Sequence, residues 1–119
     1  MPENLDTSAA AGGGVEPLPS SAMATAYWIA IYRSISDLDR HAQYARIAGP
    51  AIAAAGGRFL ARSSEFTSLS PDSAVRVVLI EFPSHEAALQ TYRSDEYQRA
   101  CAVLGDAVER DVRIVTALD

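Results

Sequence analysis

Few residues in this chain combine reactive types with a spacing that would bring them together. Arg62 and Glu81 are one such pair. Ser70-Pro71-Asp72-Ser73 reads as a turn, with proline at the position whose φ it fixes. Counting back from a hairpin closed there places Arg62 opposite Glu81. A guanidinium fork beside a carboxylate could anchor and orient an acidic or enolic substrate. The same two residues can also be no more than a cross-strand ion pair at the sheet margin. His41 and Tyr44 stand about one helical turn apart. On one flank of a helix, an imidazole and a phenol could act as general base and hydrogen-bond donor in a cavity below. The plainer alternative is a solvated His and a core Tyr with a wet hydroxyl. Tyr92 and Tyr97 flank a break at Ser94 and could line a pocket mouth, or simply pack.

Other reactive types are sparse. Cys101 is the single cysteine, so neither a disulfide framework nor a Cys-rich zinc site is expected, and it reads as a small buried hydrophobe. His85 falls at a helix N-terminus, where a cation is slightly disfavoured, and reads as exposed. With two separated histidines, a transition-metal site is not expected. No Walker loop, dinucleotide fingerprint, H-E-x-x-H motif or G-x-S-x-G elbow occurs, so no metal or nucleotide cofactor is implied. Net charge is −5 and no stretch gathers basic residues on one face, which argues against nucleic acid and anionic membrane as partners. No apolar run approaches the ~20 residues that span a bilayer. Glu3 and Asp6 stand where an export signal would be basic, so a cytoplasmic location is expected.

The elements that must position these residues begin after a distinct opening segment. Residues 1–22, with Ala9 to Gly14 followed by Pro17, Pro19, Ser20 and Ser21, hold almost no large apolar side chains. They read as a flexible arm before one compact domain over 23–119. Tyr27 to Tyr32 is a first strand, aromatic and β-branched. Ser36 offers an N-cap to a helix whose Leu38, Ala42, Ala45 and Ile52 face inward. Pro50 should kink or split that helix, and Gly56-Gly57 should end it. Arg58 to Ser64 is a second strand that could extend to Leu69, and Val75 to Phe82 is a third. Ser84 and Ser94 cap two helical segments, and Val112 to Thr116 closes the chain as a strand. The order β-α-β-β-α-β predicts an α+β fold: a four-stranded antiparallel sheet with helices on one face, ferredoxin-like, its first and third strands central.

Three segments are familiar together. They are Gly56-Gly57-Arg58-Phe59-Leu60-Ala61-Arg62, the run from Val78 through Glu81-Phe82-Pro83-Ser84 to Ala88, and Tyr92-Arg93-Ser94-Asp95-Glu96-Tyr97-Gln98. Over Tyr27 to Val115 the chain resembles the domain-of-unknown-function family 1330, of the dimeric α+β barrel superfamily. The resemblance implies that fold and a homodimer, and no established activity. The wider superfamily holds cofactor-free monooxygenases, small isomerases, haem-handling enzymes and ligand-binding regulatory domains.

Dimerisation is also readable from the strands. Val75, Val77 and Leu79 point one way and Val78, Ile80 and Phe82 the other, so the helices can cover only one apolar face. A homodimer through the open sheet face would bury the other. The function expected is binding of a small organic molecule in a pocket between sheet and helices. Cofactor-free chemistry of monooxygenase or isomerase type is open to it; the alternative is a metabolite-sensing or assembly module. The candidate pocket residues are His41, Tyr44, Arg62, Glu81 and Tyr92.

Overall fold

Strand β1, Ala26–Ile35, alternates small and aromatic residues on one side with branched ones on the other. Ala26, Trp28, Ala30 and Tyr32 are buried, whereas Tyr27, Ile29 and Ile31 are only half-buried. The computed structural model describes residues 24–118. The arm expected over 1–22 lies outside the described residues. After β1 come α1 (Leu38–Ala54), β2 (Arg58–Ser63), β3 (Arg76–Phe82), α2 (His85–Arg93), α3 (Asp95–Leu104) and β4 (Val108–Thr116). The strands form one antiparallel sheet in the order β2-β3-β1-β4, with β1 and β3 central as expected. No helix among the described residues is long and apolar enough to cross a membrane.

Helix α1 departs from its expected details in three ways. Its N-cap is Asp37, whose carboxylate accepts from the Arg40 N–H, while the Ser36 hydroxyl donates instead to the Ala107 carbonyl. The last strand therefore competes for Ser36 and leaves the cap to the next residue. The buried stripe is Tyr44, Ala48 and Ile52, and Leu38 is 72% exposed. That stripe follows the same helical period as the expected one, rotated so that His41 rather than Ala42 borders the sheet. Third, the helix runs through Pro50 without splitting. Arg46 and Pro50 are both exposed, so the carbonyl left without a donor can meet water. Gly56 then takes φ +92°, and a Cβ on Gly57 would lie 2.9 Å from the Ile52 carbonyl oxygen. The glycine pair thus lets the chain double back tightly into β2.

The second helical layer breaks where expected. The Ser94 hydroxyl accepts from the Tyr97 N–H and separates α2 from α3. Arg40 of α1 reaches across to the end of α3, where its Nε donates to the Val103 carbonyl and its guanidinium pairs with Asp106 at 3.3 Å. A cation at a helix C-terminus meets carbonyls that have no helical donor. This contact holds α3 beside α1 and brings Tyr97 against Tyr44. The core beneath is aromatic: Trp28, 1% exposed, stacks on Phe82 at 5.9 Å and meets the Tyr97 ring edge-on at 5.1 Å.

The expected pairing of Arg62 with Glu81 does not form. In the sheet Arg58 lies opposite Glu81 and Arg62 opposite Val78. The counting assumed a tight hairpin at Pro71-Asp72, but β2 ends at Ser63 and β3 starts only at Arg76. A loop of that length leaves register to the strands themselves. Arg58 donates to Glu81 at 2.8 Å instead.

Candidate functional site

Register puts three charged or phenolic side chains in one row on the helix-covered face. Tyr32 of β1 pairs with Arg76 of β3 on one side and Arg110 of β4 on the other. Arg62 joins them from β2 through a local irregularity. Phe59 pairs with Ile80 and Ala61 with Leu79, so an extra residue at Leu60 resets the alternation. Without that bulge Ala61 would face the helices and Arg62 the open side. With it, the Arg62 guanidinium lies over the Phe59 ring, 4.3 Å from its centroid. Glu81 stands on the opposite, open face, which removes it from the site under the helices.

Helix α1 roofs the row with His41 and Tyr44. The imidazole meets the Tyr32 ring edge-on at 5.3 Å and lies nearly parallel to Tyr44 at 5.9 Å. Behind them Arg110 gathers three phenols, donating to Tyr32 at 3.2 Å, Tyr44 at 3.1 Å and Tyr97 at 3.0 Å. The Tyr44 and Tyr97 hydroxyls also share a hydrogen bond of 2.7 Å. Because each phenol oxygen accepts from Arg110, the Tyr32 proton and one proton of the Tyr44–Tyr97 pair stay available to another acceptor. His41, Tyr44, Arg62, Arg76 and Arg110 line a cavity of about 50 Å³, floored by Trp28, Phe59, Val78 and Ile80. That is room for a few waters or a small acid. A wider groove of about 750 Å³ lies outside, over the helices, where alanines, Pro50 and Ile47 alternate with polar side chains. Its polar groups, Arg46, Arg99 and Glu96 with Gln90, Thr91 and Ser94, are of mixed sign.

The charge balance inside the cavity is one-sided. Among the described residues that line it are three arginines and no carboxylate. Nε of Arg76 is buried without a hydrogen-bond partner, a state that ordinarily costs stability. Burial pushes the Tyr97 and Tyr32 phenols above their usual range, so both stay protonated. Burial also opposes the charge on Arg110, but the phenols of Tyr44, Tyr97 and Tyr32 outweigh it. Burial first, then Arg76 and Arg110, holds His41 below the usual imidazole value. Folding therefore favours neutral His41. Its share of stability is full above the unfolded value near 6.5 and is lost as pH falls through the folded value. An NMR titration of the His41 ring should give a midpoint below 6.5, rising when acetate is added. A midpoint at or above 6.5 without anion would contradict a cationic cavity.

Of the five residues singled out by spacing, His41, Tyr44 and Arg62 thus come together. Tyr92 lies outside the cavity wall, 40% exposed, and packs on Trp28 and Tyr97. Arg76 and Arg110 were not legible as site residues. Arg76 breaks an otherwise apolar run, and this lone charge at an inward position was the available signal. Arg110 falls before Val112, where the last strand was expected to begin, although β4 starts at Val108. Among the described residues no group of three or more His, Cys, Asp or Glu is placed to hold a metal ion.

Sheet order and helices define a ferredoxin-like α+β protein. The chain belongs to the family described as a domain of unknown function (DUF1330), whose model matches residues 25–118. Solved structures share the fold. A protein of unknown function from Rhodopseudomonas palustris is 19% identical with a TM-score of 0.67, covering 82% of this chain and 85% of its own. A dimeric ferredoxin-like protein of unknown function from Thermobifida fusca is 13% identical with a TM-score of 0.58, covering 79% and 92%. SnoaB, a cofactor-independent oxygenase from Streptomyces nogalater, is 12% identical with a TM-score of 0.55, covering 81% and 95%. No match is found among curated proteins.

Proposed function

We infer that this protein is a homodimer in which each subunit binds a small organic anion in the cavity between sheet and helices. One observation carries the reading: Arg62, Arg76 and Arg110 converge on a cavity lined by no carboxylate. Arg76 and Arg110, partly buried, repel one another, exposed Arg62 adds to the same field, and an entering anion relieves that cost. Arginine suits the role because its planar fork matches a carboxylate or enolate with two parallel bonds. The aromatic floor and the small volume favour a compact acid over a nucleotide or a peptide. Two-fold pairing is supported by the half-buried, mostly apolar set Tyr27, Ile29, Ile31, Val77 and Leu79 on the open sheet face. The Thermobifida fusca protein that shares the fold is itself dimeric.

Isothermal calorimetry against matched acids and amides tests the anion site. Acetate, pyruvate and benzoate should bind measurably, and acetamide, pyruvamide and benzamide at least tenfold more weakly. Equal affinity within each pair would overturn it. Cofactor-free chemistry of isomerase or monooxygenase type would proceed at the same cavity. A bound acid recovered unchanged after long incubation in air would instead favour metabolite sensing.

A further inference from the structure

We propose that the cavity removes a proton from carbon, with the His41 imidazole as base and the Arg76 guanidinium holding the oxygen that becomes negative. This rests on the anion-binding reading above and narrows the substrate class to small oxo acids. Their carboxylate and neighbouring carbonyl offer two acceptors to converging arginines. The step balances without a co-reactant. An imidazole nitrogen takes the proton, the C–H electron pair becomes a C=C bond, and the carbonyl π pair moves onto oxygen as an enolate. Return of the proton to the same carbon gives exchange or racemisation, and its delivery to a different carbon gives an isomer.

The geometry supplies each part. His41 stands on the cavity wall, fixed between the edge-on contact with Tyr32 and the near-parallel Tyr44 ring. Among the described residues no hydrogen bond to its ring contributes to its titration, so its nitrogens are left for a bound molecule. The groups facing it are Tyr32 and Arg76 from the central strands, Arg110 from β4 and Tyr44 from its own helix. None is a carboxylate that would hold the ring protonated, so it is neutral, the form a base needs. The cations that keep it neutral also stabilise charge developing on the enolate oxygen. The substrate's own carboxylate offsets part of that field, which strengthens the base only when the acid is bound. Arg76 lines the cavity, and its Nε is buried without a partner, so this guanidinium is already partly desolvated. All ten basic Lys/Arg positions of the chain are arginine. No lysine side chain can therefore form an imine with the carbonyl, which leaves direct proton transfer as the route open to the cavity's own side chains.

Deuterium exchange in D2O, followed by proton NMR on pyruvate, 2-oxobutyrate and acetoacetate, reads the step directly. For at least one acid the wild-type protein should exchange the carbon-bound protons at least tenfold faster than buffer. The rate should rise with pH through a midpoint set by His41. His41→Gln should lose this exchange while its calorimetric Kd for the same acid stays within threefold of wild type. His41→Asn is the second variant should the first be unstable. Exchange that persists in either folded variant would remove His41 as the base. Binding by wild type with exchange at the buffer rate would overturn the proton transfer and leave the anion site standing. Failure of all three acids to bind would overturn both.

Discussion

Replacing Arg76 by Met is expected to weaken binding of a small carboxylate by about 10- to 100-fold and to leave the melting temperature unchanged or raised. The two directions come from one cause. Nε of Arg76 is buried without a partner. Arg76 sits on central strand β3, opposite Tyr32. In the empty protein its charge is therefore an expense to folding, and a thioether of similar length fills the space without it. In the complex the same guanidinium makes charge-assisted bonds, each worth roughly 1.5–3 kcal/mol, which is about one to two decades in Kd. Arg62 should matter less, because it is exposed and already stacked on Phe59. Calorimetry and thermal unfolding on the same samples decide the matter. A melting temperature that falls by several degrees with affinity unchanged would make Arg76 a structural residue.

Leu79→Asp is expected to convert the homodimer to a monomer, raising the dimer Kd about 1000-fold or more. Leu79 lies on β3 at the middle of the open face, between Ile29 of β1 and Ala61 of β2. Neither neighbour can neutralise a carboxylate, and Glu81, next on the same face, is already paired with Arg58. In an isologous interface each copy brings the same charge toward the same two-fold axis, so the cost is incurred twice. Desolvated or like-charged groups in such a position cost several kcal/mol. The isolated subunit should keep its fold, because Leu79 is only half-buried there, outside the cluster around Trp28. Sedimentation of both proteins at micromolar concentration, with circular dichroism as the control for folding, gives the answer. A monomeric wild type, or a dimer that survives Leu79→Asp, would place the interface elsewhere or nowhere.

What the sequence determined by itself was the set of elements and the two faces of the central strands. The alternation through Val77-Val78-Leu79-Ile80, the Ser84 and Ser94 caps and the Gly56-Gly57 turn act over a few residues. Local physics is enough to read them, and with short crossovers they allow one sheet order. The spacing of His41 and Tyr44 was equally local and placed both on the cavity wall. Tertiary structure alone decided which arginines join them. The bulge at Leu60 turns Arg62 toward the helices, and no residue in that stretch announces it. The row Arg76–Tyr32–Arg110 exists because three strands distant in the chain align at one register, which side-chain packing sets across the whole sheet. Glu81 was lost from the site because it shares the face of Val77 and Leu79, which the helices leave open. A side chain's face flips with each residue of slip, and the long connection between β2 and β3 carries no information about that count.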